Sequence, residues 1–389
     1  MSNQSKFILI ILAALICTAC NAPVPPLAEA ATLTATAIVM ATSTLTSVPT
    51  KTATMQPPTP TDTATPLPSP TLTPTPQAEL RQLTTGGCCA QPFFSADSHQ
   101  VLFIDKPNED APTGIYGVEV AQPQPNPTLV SEMIGFYNHD RSLVATIEGA
   151  DLLRLTRVAT GENWTMNTKG NWPKFSPDGK LVLWTARDEE GPYDQRAGDV
   201  WVANLDGSQA RQLFTTYGGG FGDWLADSQR FLLVSKPKPN VIEVTLSVYD
   251  ITKNSQIDLF TERQLRQVKL STGGSWVVFY AMFAEDATRS GLWLLSTDGQ
   301  SQRQLDVPHF GAYQWQDDDT LIYLPMRAAG ETSMQLWAID AATARLTPLT
   351  DPQQLPFVVA NGDWKVSPDG RHVAFVNCAD NNIGLIDLP

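Results

Sequence analysis

"PKFSPDGKLVLWTA", Pro173 to Ala186, reads as a short strand, a tight turn and a second strand. In "SPDG" the proline presets φ at the second turn position, the aspartate bonds to nearby backbone, and the glycine accepts positive φ. "LVLW", which follows, is apolar throughout, as in a strand covered on both faces. "VWVANLDG", Val200 to Gly207, then supplies a third strand ending in an Asp-Gly hairpin signal, and "RQLFT", Arg211 to Thr215, a short fourth one.

This unit recurs in degenerate form. The turn returns as "SADS" at Ser95, "NHDR" at Asn138, "LADS" at Leu225, "STGG" at Ser271, "QDDD" at Gln316 and "SPDG" at Ser367. An apolar or aromatic residue precedes each turn: Phe94, Tyr137, Phe175, Trp224, Leu270, Trp315 and Val366. Gly273 stands where the other six turns have Asp. Successive turns lie 43, 38, 49, 46, 45 and 51 residues apart. A four-stranded unit repeating at this period cannot bury both faces alone and must stack on its neighbours, which predicts an all-β, seven-bladed β-propeller of antiparallel blades. The second repeat is the poorest copy, so six blades is the alternative count. The last unit ends at Pro389 without a fourth strand, whereas "ELRQLTT", Glu79 to Thr85, is an isolated fourth strand that matches "RQLFT". The N-terminal strand is therefore expected to complete the last blade.

"SPDGKLVLWTA…DVWVANLDGSQARQL" and "SPDGRHVAFV" resemble the TolB-like, or WD40-like (PD40), propeller repeats of bacterial envelope proteins. The resemblance covers residues 79–389 and implies binding or scaffolding at the envelope. A propeller hosts many activities, so fold alone does not name one.

The N-terminal part has a different character. Phe7 to Ala19, "FILIILAALICTA", is too short to span a bilayer as a helix but suits the apolar core of a secretory signal. Small residues precede Cys20, and the stretch resembles a bacterial lipoprotein signal (1–19) with Cys20 lipidated; an ordinary signal cleaved nearby is the other reading. Residues 20–78 are rich in Thr and Pro, cannot bury enough apolar surface to order, and read as an extended tether. The chain is thus expected to be extracytoplasmic, held to the membrane only by its lipid. A formal net charge of −14 without a basic cluster argues against a nucleic-acid partner.

Cys88, Cys89 and Cys378 are disulfide candidates, since the compartment is oxidising and the loops that carry them are neighbours in a closed ring. A bridge from Cys378 to Cys88 or Cys89, a bond between the adjacent pair, and free thiols are the alternatives. Adjacent cysteines without a nearby histidine do not fit zinc. No G-x-S-x-G, H-E-x-x-H or phosphate-loop signature occurs, so no catalytic residue, cofactor or metal is assigned. "YGGGFGDW", Tyr217 to Trp224, reads as a flexible link between blades. The acidic loop "ARDEEGPYDQRAGD" offers Asp188, Glu189, Glu190, Tyr193 and Asp194 to one face of the ring, and Asp223 and Asp363, each before a tryptophan, to the channel entrance. These residues suggest a monomeric module binding an envelope protein, a peptide or a cell-wall glycan. A propeller hydrolase with its site at the channel mouth, and a purely structural envelope component, are the alternatives.

Overall fold

The structure, a computed structural model, describes residues 78–87, 90–121, 127–138, 141–149, 151–169, 171–187, 190, 192 and 195–389. The expected signal, Cys20 and the tether lie outside the described residues, except for Ala78, which is buried in the cluster that holds Ile386.

The described strands build a β-propeller. β1 (Glu79–Gln82) is the first strand of the described residues. One sheet follows from β2 (Ala90–Phe94), β3 (Gln100–Asp105), β4 (Gly114–Glu119) and β5 (Thr128–Ser131). The next is β6 (Phe136–Tyr137), β7 (Leu143–Glu148), β8 (Leu152–Arg157) and β9 (Asn163–Asn167). A seven-stranded sheet then runs through β10 (Lys174–Phe175), β11 (Leu181–Arg187), β12 (Ala197–Asn204), β13 (Arg211–Trp224), β14 (Arg230–Lys236), β15 (Val244–Asp250) and β16 (Ser255–Glu262). Two four-stranded sheets come next: β17 (Gln264–Leu270) to β20 (Gln302–Leu305) through β18 (Trp276–Met282) and β19 (Gly291–Ser296), and β21 (Gly311–Trp315) to β24 (Leu346–Pro348) through β22 (Thr320–Pro325) and β23 (Trp337–Asp340). The last sheet orders β1 beside β27 (Ile383–Asp387), then β26 (His372–Asn377) and β25 (Val359–Val366).

The N-terminal strand closes that last sheet, with Leu80 opposite Ile386 and Gln82 opposite Gly384. Side chains lock the join. Arg81 donates twice to the Asp387 carboxylate, at 2.8 and 2.9 Å, and once to the Val120 carbonyl at 2.8 Å. His372 Nδ1 meets the same carboxylate at 2.6 Å.

The seven separate four-stranded sheets expected are not what forms: five are four-stranded and one is seven-stranded. The cause is β13, because "YGGGFGDW" is strand rather than a flexible link. Its first half pairs with β12 and its second half with β14, and Tyr217 pairs with both. Gly219 and Gly220, at φ 73° and 158°, re-aim the chain without breaking its ladder. A Cβ on Gly219 would overlap the Val234 carbonyl.

The core lies between neighbouring sheets. Val278, Tyr280 and Leu294, for example, pack on Tyr313, Trp315, Leu321 and Tyr323 of the next sheet. That two-sided burial is why the second strands carry no polar face: Val101, Leu102 and Phe103 are all buried.

Candidate functional site

The turns orient the inner strands. In "SADS" and both "SPDG" turns, the serine hydroxyl donates to the aspartate two residues on, at 2.6–2.7 Å. It also accepts the backbone N–H five residues on, at 2.9 Å. The aspartate accepts from the backbone two residues further along. Burial pushes the Asp178 and Asp369 carboxyls up, but these hydrogen bonds outweigh it and hold both below the usual range. The exceptional turn at Ser271 lacks its own aspartate and borrows one: Asp318 of the following sheet accepts from the Ser271 hydroxyl, from Gly273 N at 3.0 Å and from Ser275 N at 3.2 Å. A Cβ on Gly273 would lie 2.6 Å from the Asp318 carboxyl carbon.

Two residues before each turn stand Phe93, Phe136, Lys174, Asp223, Lys269, Gln314 and Lys365. They form one layer of the inner strands. Register shifts just upstream in β2, β13, β17 and β25, with Gln91, Gln267 and Asn361 at positive φ, re-aim the strands ahead of this layer. Tryptophans and a glutamine stitch it between sheets. Trp224 Nε1 donates to the Lys174 carbonyl at 3.2 Å, Trp315 Nε1 to that of Lys269 at 3.3 Å, and Gln314 Nε2 to that of Trp364 at 2.5 Å.

A cavity of 1110 Å³ opens where these strands converge. One wall is apolar, with Ile134, Phe136 and Trp172 left 40–49% exposed and the Phe136 and Trp172 rings 4.3 Å apart. The lining also carries Lys269, Gln314, Asp363 and Lys365. Burial, then repulsion from Lys365, push Lys269 down to about 8, against attraction by Asp223. Lys365 is lowered by burial and by Lys174, again against Asp223. Burial raises the Asp363 carboxyl, which a hydrogen bond from the Gln91 backbone partly offsets.

The expected ligand residues divide. Asp363 lines the cavity, and Asp223 belongs to its layer, held by Lys174 Nζ at 2.6 Å. Asp188, Glu189, Tyr193 and Asp194 lie outside the described residues. Glu190 is exposed in the loop after β11. Cys88 and Cys89 are likewise outside; Cys378, in the turn after β26, is not a free thiol. Among the described residues no three His, Cys, Asp or Glu side chains cluster as a metal site. The lysine layer was missed in the sequence reading, although "PKFS", "VKLS" and "WKVS" place lysine two residues before the turn each time.

No family model and no curated protein matches the chain. Among solved structures it is similar to an oligogalacturonate lyase in complex with manganese, at 13% identity and a TM-score of 0.56, over 80% of this chain and 91% of the other. An oligogalacturonate lyase from Vibrio parahaemolyticus gives 10% identity and a TM-score of 0.57, over 80% and 97%. A putative TolB from Agrobacterium tumefaciens matches over 80% and 97% at 13% identity, with a TM-score of 0.37. At these identities the likeness is one of fold, the β-propeller that the TolB-like repeats implied.

Proposed function

We propose that the protein is a lipid-anchored, extracytoplasmic binding module that takes a protein, peptide or glycan chain into the mouth of its channel. The cavity carries this reading: it combines exposed aromatic surface with polar and charged groups in one lining, the composition of a ligand site rather than of a packed core. Pull-down from envelope extracts with the full chain tests it, with Trp172→Ala as the paired bait. Loss of the captured species in the variant is expected; identical capture by both sinks the channel as the binding surface. A hydrolase at the same place is the second reading, favoured by one observation: burial raises the Asp363 carboxyl toward the range useful for proton transfer.

The same proposal has three structural parts. The ring is counted as seven blades, the seven-stranded sheet being two that share β13; the register of β13, paired with β12 before Tyr217 and β14 after it, supports this. Cys378 is joined to Cys88 or Cys89. In support, Gly87 N donates to Asn382 Oδ1 at 3.1 Å and Thr84 Oγ1 accepts from Ile383 N at 2.8 Å, so the chain just before Cys88 runs beside the turn that follows Cys378. Cys20 carries the lipid. Mass spectrometry of the mature, unreduced protein reads both: an unmodified N-terminus disproves the anchor, and a Cys88–Cys89 peptide with Cys378 elsewhere disproves the bridge.

A further inference from the structure

Three cations line the cavity with no carboxylate in an ion pair with them among the described residues. Lys269 spends one N–H on the Tyr313 carbonyl at 2.8 Å. The Lys365 ammonium has no hydrogen bond or ion pair among the described residues. Among the described residues the Arg141 guanidinium meets ring faces, 4.9 Å from the centre of Phe93 and 5.4 Å from that of Tyr137. Charges withdrawn from bulk water are normally paired, because their desolvation is otherwise uncompensated. Here the available carboxylates are used elsewhere or are poorly suited. Asp223 is taken by Lys174, and Asp363, the one carboxylate lining the cavity, is itself disfavoured as an anion by burial. A chain of net charge −14 has therefore kept an excess of positive charge in its one large aromatic-walled cavity among the described residues.

We propose that this cavity binds an acidic peptide segment, its carboxylates held by Lys269, Lys365 and Arg141 and its neighbouring apolar side chains resting on Ile134, Phe136 and Trp172. The inference rests on the binding reading above and names the ligand class of that site. Lysines suit it because an ammonium recognises a carboxylate as a point charge and tolerates varied geometry. The apolar wall favours peptide over sugar. A glycan ring carries hydroxyls around its edge, and those left facing Ile134 and Phe136 would lose water without gaining a partner.

Calorimetric titration of the full chain in detergent micelles tests this with three probes: a capped Glu-Phe repeat peptide, its Gln-Phe counterpart and a uronic-acid trisaccharide. The Glu-Phe peptide is expected to bind at least tenfold more tightly than the Gln-Phe peptide. Lys365→Gln and Lys269→Met are each expected to weaken it about five- to tenfold, while Lys106→Gln on the outer surface leaves it unchanged. Lys365 has no partner to lose, so its variant separates binding from folding, and a melting curve checks both. Equal binding of the two peptides overturns the acidic preference and leaves the binding module standing. Binding of the trisaccharide with neither peptide bound overturns the peptide class but not the module. Silence from all three overturns the inference, while the binding reading it rests on is decided by the pull-down with Trp172→Ala.

Discussion

At the scale of single residues, the borrowed aspartate is the sharpest case. Asp318 serves the turn at Ser271, because Asp317 already takes its own turn's donors, Asp319 N at 2.8 Å and Thr320 N at 2.7 Å. Removing Asp318 leaves the hydroxyl of buried Ser271 without its acceptor and hands two exposed backbone donors to water. Asp318→Ala is expected to cost about 1 kcal/mol in denaturant unfolding. Gly273→Asp restores the usual turn sequence yet collides with Asp318, so it too should destabilise; the double variant Gly273→Asp with Asp318→Gly should recover much of the loss. Additive losses in the double variant would show that the two positions do not share one role. Lys269 supports a second prediction. It faces Lys365, Asp223 and Tyr313, and loses its proton at about 8. Anion binding needs the ammonium, so affinity should hold below pH 7 and fall as pH rises through 8. Lys269→Met should flatten that profile. The unliganded fold should respond with the opposite sign: the unfolded chain holds this proton to higher pH, so stability rises between pH 8 and 10.

At the scale of elements, β13 shows where local sequence reading stops. "YGGGFGDW" has three adjacent glycines, which in isolation signal a flexible connection. In the fold they permit close approach instead, because Gly219 lies against the Val234 carbonyl at φ 73°. Gly219→Ala therefore meets both a steric clash and backbone strain, and is expected to cost about 2–3 kcal/mol. Gly149→Ala, at φ 80° with open space around it, should cost less and serves as the control in the same urea titration. The turns were legible because Pro, Asp and Gly act locally, and the closing strand because a fourth strand was missing at one end and spare at the other. Of the channel layer Asp223 was read but its lysines were not, since which side of a two-residue inner strand such as Lys174–Phe175 faces the axis is decided by bulges upstream and by tryptophans about fifty residues away. The aromatic wall was hidden for the same reason: Phe136 and Trp172 lie on different repeats and meet only once the sheets are arranged.

At the scale of the whole molecule, a ring needs a closing seam, and here it joins the N-terminal strand of the propeller to its last strand. Four residue pairs of β1 on β27 and the Arg81–Asp387–His372 cluster close it. Burial raises the Asp387 carboxyl, but the hydrogen bonds from Arg81 and His372 outweigh it and leave the group below its ordinary range. A carboxyl lowered in the folded state stabilises above its unfolded value of about 4, and that contribution is lost as pH falls through the folded one. The turn carboxylates Asp178, Asp318 and Asp369 are lowered in the same way, so acid weakens the seam and the blade turns together. Asp387→Asn should therefore lower stability at pH 7 by about 1–2 kcal/mol, the value for a charged hydrogen bond discounted for partial exposure. In a melting experiment this corresponds to roughly 2–4 °C for each kcal/mol. On acidification from pH 5 to 3 the variant should lose less than the native chain, because one titrating group is already gone. If both lose equally, the carboxylate is not coupled to folding, and closure rests on the β1–β27 backbone ladder and the contacts that flank it.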